Sequence, residues 1–333
     1  MIDVCITVDT EFSIAGAFTR PGQWEPIAEP NVTCPADGRE QGLGFLLDTF
    51  ADYGVEATFF VETLQSCRFG DAPMGRMVAR ILAARQDVQL HLHPCWLLFR
   101  DPAWALNLVD DRPNDGCDGR SDSALDDIIG TGLAALRRLG APAPVALRTG
   151  SLRVDKAVYR AMRRVGLRIG SNVGLAAFRP QDPELVCAGG RRWVEGVLEV
   201  PVLTYRQPQI GGSALRLLAI TASSWRETEG LLWRARAAGV KTCVILTHPF
   251  EFIKGDRMRP ETWTTNRINQ TRLRRLCAFI ANHSQHFRTT SFAAGAPRWL
   301  TEGEEAAPDL AAPAAAALLR MVENKANDLI RHL

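Results

Sequence analysis

Two histidines stand two residues apart in "LHLHPCW" (90–96), in a chain that has only six histidines among its 333 residues. Near the N-terminus, "ITVDTEF" (6–12) sets two carboxylates, Asp9 and Glu11, at the same spacing. Side chains alternate across a strand, so residues two apart share a face. Cys5, Thr7, Asp9 and Glu11 then lie on one side, and Val4, Ile6 and Val8 on the other. Gln89, His91 and His93 share a side, opposite Val88, Leu90 and Leu92. If both runs are strands of one sheet, two carboxylates and two imidazoles meet at neighbouring strand ends. Two histidines and one of the two carboxylates can hold a divalent metal and leave positions for water and substrate. The second carboxylate is free to act as a base. Two later segments add to the set: "VALRTGSL" brings Arg148, and "VILTHPFEF" brings His248 and Glu251. The competing view of each piece is plain: a lone H-x-H is two unrelated histidines, and "VDTEF" an ordinary strand exit.

Convergence needs a scaffold, and the chain reads as repeated units of strand, loop and helix. Strands are expected at 3–8, 56–62, 87–93, 144–148, 167–172, 196–204, 242–248 and 287–292. Helices are expected at 42–54, 74–85, 123–140, 155–166, 225–239 and 267–284, with Gly54 and Gly140 as C-terminal caps. Strands alternating with helices imply a parallel sheet buried on both sides. Seven or eight such units in some 290 residues favour an α/β fold, a closed or nearly closed (β/α)7-8 barrel. Active sites of such barrels lie at the C-terminal strand ends, where the acids and histidines fall. The proline-rich segment 12–40 is expected to be a long loop over the barrel mouth. The barrel domain is placed at residues 1–298. Residues 299–333 are expected to be a linker and helix packed on the barrel or on a second subunit, which would make a homo-oligomer.

Composition excludes some functions. The net charge of +2 gives no reason to invoke nucleic acid or an anionic membrane. No apolar stretch approaches the roughly 20 residues of a membrane span. The opening "MIDVCITVDTEF" lacks a signal-peptide pattern, and the eight cysteines form no C-x-x-C pair. A cytoplasmic protein with free thiols is the expectation.

Taken in order, "ITVDTEF", "EATFFVE", "HLHPCW", "LRTGSLRVD", "LEVPV" and "ILTHPFEF" resemble the motifs of the polysaccharide deacetylase superfamily (NodB-homology, carbohydrate esterase family 4-like), in an atypical branch. The resemblance spans about residues 2–292. It implies a distorted barrel, usually of seven strands, and a metal-dependent hydrolase, with zinc the expected metal, that removes N- or O-acetyl groups from a carbohydrate. It implies Asp9 as base, Glu11 as metal ligand, Arg148 as the group orienting the base, and His248 as general acid. The family's metal histidines are four apart, but the fourth position after His91 is Cys95. His93 is the expected substitute, with Cys95 the alternative. "RTGS" replaces an arginine–proline motif, and Glu251 is the candidate to tune His248 in place of the family's aspartate. Trp24, Trp96 and Trp104 lie in segments that could rim the mouth and stack on a sugar, with simple packing as the alternative. Competing functions are a formamide or cyclic-amide hydrolase on the same scaffold, and a catalytically silent carbohydrate-binding homologue.

Overall fold

The computed structural model describes residues 1–110, 113–209, 212–306, 309–313, 315, 316, 320 and 323. Nine strands form its main sheet: β1 (Ile2–Thr10), β2 (Thr58–Glu62), β3 (Asp87–Leu92), β4 (Ala146–Thr149), β5 (Ile169–Gly170), β6 (Arg192–Val194), β7 (Val197–Glu199), β8 (Thr242–Thr247) and β9 (Phe287–Thr289). The order is β8-β1-β2-β3-β4-β5-β7-β6, with β9 paired to the start of β1. Seven strands from β8 to β7 run parallel; only β6 is antiparallel. The sheet curls toward closure through single bridges, Val202 to Val244 and Ala219 to Leu246. This is a distorted (β/α) barrel, completed by isolated contacts rather than by a full ladder.

The reason is legible in the strands. β1 is buried along all nine residues, as a parallel strand covered on both faces must be. Val4, Ile6 and Val8 pack outward into the layer shared with the helices. Cys5 belongs to a separate cluster with Phe60, Ala146, Leu198, Val244 and Leu246, the barrel interior. The main helices are α1 (Leu43–Tyr53), α2 (Ala72–Ala83), α3 (Asp122–Arg138), α4 (Lys156–Arg164), α5 (Trp225–Ala237), α6 (Arg267–Asn282) and α7 (Phe292–Glu302). Ser121, Asp155, Ser224, Asn266 and Ser291 cap helix N-termini with their side chains. Gly54 ends α1 in the left-handed region, as its position suggested.

Two expectations need correction. The last strand stops at Thr289, and α7 follows at once. Residue 298, the expected end of the barrel domain, therefore falls inside a helix. Helix α7 runs through Pro297 and places Phe292, Ala296 and Trp299 against the barrel's interior cluster, which that burial stabilises. Beyond it, Glu305 pairs with Arg191 and Ala311 with Arg206, so this part of the tail lies on its own barrel. The helix expected near 314–333 lies for the most part outside the described residues. The segment 12–40 is not bare loop either: it holds a helical turn, Pro30–Thr33, and a hairpin joining 35–36 to 39–40.

Candidate metal and acid–base centre

β1, β3, β4 and β8 end side by side, and register fixes what meets there. Leu90, His91 and Leu92 lie opposite Leu147, Arg148 and Thr149. Glu62, the last residue of β2, lies opposite His91. Glu11, one residue beyond β1, points its Oε2 at both histidines, 3.4 Å from His91 Nε2 and 2.7 Å from His93 Nε2. The two Nε2 atoms are 2.9 Å apart.

The outer nitrogens decide the tautomers. His91 Nδ1 lies 2.9 Å from the Arg148 carbonyl, which can only accept, so Nδ1 carries the proton. His93 Nδ1 lies 2.5 Å from Asp115 Oδ2 and donates in the same way. With Nδ1 as the donor, each ring when neutral, as a metal ligand must be, turns an Nε2 lone pair toward Glu11. Three lone-pair donors gathered at one point repel unless a cation sits among them, and these three atoms have the spacing of a metal ligand set. The hydrogen bonds behind them are of the kind that orient metal-bound histidines. Burial opposes charge on His93, but Asp115 and Glu11 outweigh it and raise its pKa well above the histidine range. Burial would also raise Glu11, yet the two histidines hold it well below the usual carboxylate range. The cluster draws positive charge to itself.

The other half of the centre is built on Asp9. Its Oδ1 accepts a 2.6 Å bond from Arg148 Nη1. Its Oδ2 lies 4.0 Å from His91 Nε2 and 4.0 Å from His248 Nε2. Arg148 is fully buried, and its donors also reach Thr7 Oγ1, the Ser171 carbonyl and Ser171 Oγ, while its guanidinium lies 4.2 Å over the Phe60 ring. An arginine pinned at so many points cannot swing away from Asp9. His248 Nδ1 meets Glu251 Oε1 at 3.0 Å, and Thr247 Oγ1 donates to the other oxygen of that carboxylate. Burial would lower the His248 pKa, but Glu251, with Asp9 and Glu11 behind it, raises it to about 9. That shift favours the protonated, cationic ring at neutral pH.

All six polar residues singled out in sequence thus come together: Asp9, Glu11, His91, His93, Arg148 and His248. Cys95 stands apart. It is buried beside Asp115, and burial, helped by that carboxylate, keeps its thiol protonated. The tryptophans divide. Trp96 is a core residue, 2% exposed and packed on Phe69 and Phe99, so its ring offers no face to a sugar. Trp104 is half-buried against Phe18 and Phe99, and Trp24 half-buried near Arg259.

The structure adds residues that sequence reasoning passed over. Asp115 comes from a loop of Asp, Gly and Pro with no periodicity to place it. Glu62 had a signal, because Thr58, Phe60 and Glu62 alternate inward on β2. It is fully buried, burial pushes its pKa up to about 7 against the pull of His93 and His91, and it accepts from the His93 backbone N–H. Gly150 explains the "RTGS" departure: a Cβ there would lie 2.6 Å from His93 Nδ1, so only glycine leaves room for that ring.

No family model matches the chain, and no curated protein matches its sequence. Solved structures do. A protein of Mycobacterium smegmatis, described as a candidate polysaccharide deacetylase, shares 13% identity at a TM-score of 0.50, over 91% of this chain and 93% of that one. A family 4 carbohydrate esterase from Streptomyces lividans, solved with acetate, shares 12% at 0.41, over 92% and 98%. A carbohydrate esterase family 4 pseudoenzyme from Bacillus anthracis shares 10% at 0.39, over 87% and 64%. The architecture and the first of these likenesses lead to one statement: the chain has the distorted barrel fold of the polysaccharide deacetylases of the NodB-homology superfamily.

Proposed function

We propose that the protein is a metal-dependent hydrolase that removes an acetyl group from a carbohydrate. One observation carries this reading. A carboxylate with one uncommitted oxygen, Asp9, sits beside a three-residue metal ligand set and faces a protonated histidine across 4.0 Å. Binding alone needs neither a base nor an acid so placed. Glu11, His91 and His93 would hold the ion, and zinc suits two imidazoles and a carboxylate. When bound, such an ion lowers the pKa of a water toward about 7 and polarises an acyl carbonyl.

The chain's own groups do the rest. Asp9 Oδ2 takes a proton from the attacking water, and Arg148 keeps that carboxylate aimed through its bond to Oδ1. As the C–N or C–O bond breaks, His248 Nε2 gives its proton to the departing nitrogen or oxygen. Glu251 holds His248 at Nδ1 and supports its positive charge. The acetyl group leaves as acetate, and the sugar keeps the free amine or hydroxyl. Among the described residues no helix is long and apolar enough to cross a membrane, and the eight cysteines are unpaired. Free thiols fit the cytoplasmic location proposed with this function.

The test joins two assays. Purified protein is analysed for metal after zinc loading, then given a panel of N- and O-acetylated sugars. One bound ion per chain and acetate release are expected. Zinc-loaded protein that releases no acetate overturns the reading. Formate released from formamides would move it to the sister hydrolases.

A further inference from the structure

We propose that Arg257 forms an anion subsite at the mouth of this centre, so that the substrate carries a carboxylate or phosphate near its acylated carbon. The inference rests on the hydrolase reading and narrows its substrate class. The Arg257 guanidinium lies 3.6 Å over the Phe250 ring. Phe250 in turn stacks on His248, with centroids 4.7 Å apart and planes 24° off parallel. Three flat groups thus form a column that rises from the general acid. A second tie fixes the top of it. Arg257 Nη2 donates to Asn31 Oδ1 at 3.3 Å, and Asn31 Nδ2 donates to the Glu11 carbonyl at 2.8 Å. Asn31 is 1% exposed. The guanidinium is thereby referenced to the acid on one side and to a metal ligand on the other.

What it lacks is an anion. Among the described residues, the bond to Asn31 is its one hydrogen bond, and no carboxylate forms an ion pair with it. Guanidinium offers five N–H donors in a rigid fork that matches carboxylate and phosphate oxygens. The side chain is exposed, but the atoms packed on its inner face take away part of its water and lower its pKa against the pull of Cys34, Glu11 and Glu251. Two other arginines do have carboxylate partners: Arg259 has Asp256, and Arg68 has Glu25. A separate cavity of about 560 Å³ shows the same contrast, for its Arg153 is paired with Asp118 and its Lys156 with Asp182 and Glu184. A guanidinium that only covered Phe250 would have no use for an open fork beside the reacting centre.

The experiment is calorimetric titration of the zinc-loaded protein with three probes. These are N-acetylglucosamine, N-acetylmuramic acid for a carboxylate, and phosphate esters of N-acetylglucosamine. At least one charged sugar should bind about ten-fold or more tightly than the neutral one. The preferred probe separates carboxylate from phosphate. In Arg257→Gln the ratio of charged to neutral affinity should fall to near one, and Arg257→Lys should restore it only in part. Equal affinities in the parent protein, no binding by any charged probe, or a preference that survives Arg257→Gln would each overturn the subsite. Acetate release in the same samples reports separately on the hydrolase reading, since a charge preference can stand without turnover.

Discussion

Strand β1 carries a buried aspartate at each end, and the two are held in opposite ways. Asp3, at the closed end of the barrel, has both oxygens filled. Arg288 Nε and Thr290 Oγ1 donate to one, and Trp299 Nε1 and Arg298 Nη2 to the other. Burial works to raise its pKa, but the bonds from Arg298, Trp299 and Arg288 prevail and lower it. Asp9, at the open end, receives one side-chain bond on Oδ1 and keeps Oδ2 uncommitted between two histidines. Both side chains are nearly inaccessible, at 1% and 4% exposure. Burial therefore does not separate a structural charge from a chemical one. Saturation does: a fully bonded carboxylate is a brace, and one with a lone pair aimed at a reactive centre can still take a proton.

The sharpest way to break the contrast is the same substitution at both ends. Asp9→Asn should keep the bound metal and lose about 10²–10⁴ in turnover. Asp3→Asn should leave turnover per folded molecule unchanged and cost about 1–3 kcal/mol of stability, at the low end because Arg288 and Arg298 are partly exposed. Turnover, metal content and urea melts on the same preparations decide it. Metal loss in Asp9→Asn would make Asp9 a ligand. Turnover loss in Asp3→Asn would erase the distinction.

The next test asks what Arg148 is for. Removing it strands a buried carboxylate, so Arg148→Met should destabilise the fold by about 3–5 kcal/mol. If Asp9 is the cause, adding Asp9→Asn should recover much of that loss. Strictly additive effects in the double variant would mean that Arg148 supports the barrel through Ser171 and Phe60 rather than through Asp9.

These contrasts also show where sequence was enough. Alternation along β1 and β3 put Asp9, Glu11, His91 and His93 on inward faces, because a strand buried on both sides permits one register only. Arg148 and His248 were marked by their places at the ends of two further strands and by the family resemblance rather than by alternation. The helices were readable from their periodicity and caps, within about two residues at most ends. What sequence left out depends on contacts between distant loops. Asp115 reaches His93 because its loop is pinned at Asp118 by Arg153, and no local pattern encodes that bond. For Trp96 sequence left sugar stacking and packing both open, and the helical turn Pro94–Arg100 turns its ring into the core. Helix α7 was missed because Pro297 and the short run "FAAGAPRWLTE" argue for a break, while the gain comes from packing Phe292 and Trp299 into the barrel's closed end.

Asp115 supplies a smaller test, on the metal side of the comparison. It braces His93 as Arg148 braces Asp9, but from an open loop. Asp115→Ala should weaken zinc binding by about 10–100-fold, as loss of a carboxylate behind a metal histidine does. Competition with a chelator measures it. Unchanged affinity would mean that the His93 ring is held without Asp115 or is not a ligand.

The mildest expected effect falls on His248, and here the sign matters. Its folded-state pKa is raised to about 9, chiefly because Glu251, against the effect of burial, favours the protonated ring. A general acid must hold its proton, so kcat/KM should stay high below that value and fall as pH rises through about 9. The same shift adds stability that is fully present below the unfolded histidine pKa of about 6.5 and is lost as pH climbs through about 9. In Glu251→Gln the carboxylate's charge is gone, while the burial that lowers the pKa remains. The falling limb of kcat/KM should then move down by about 1–3 pH units, with little loss at pH 6. The opposite, rising limb does not depend on His248 and should not move. A profile in which both limbs shift together would show that Glu251 acts on the whole centre. One in which neither shifts would remove His248 from the role of acid and leave Asp9 as the one proton-transfer group in the centre.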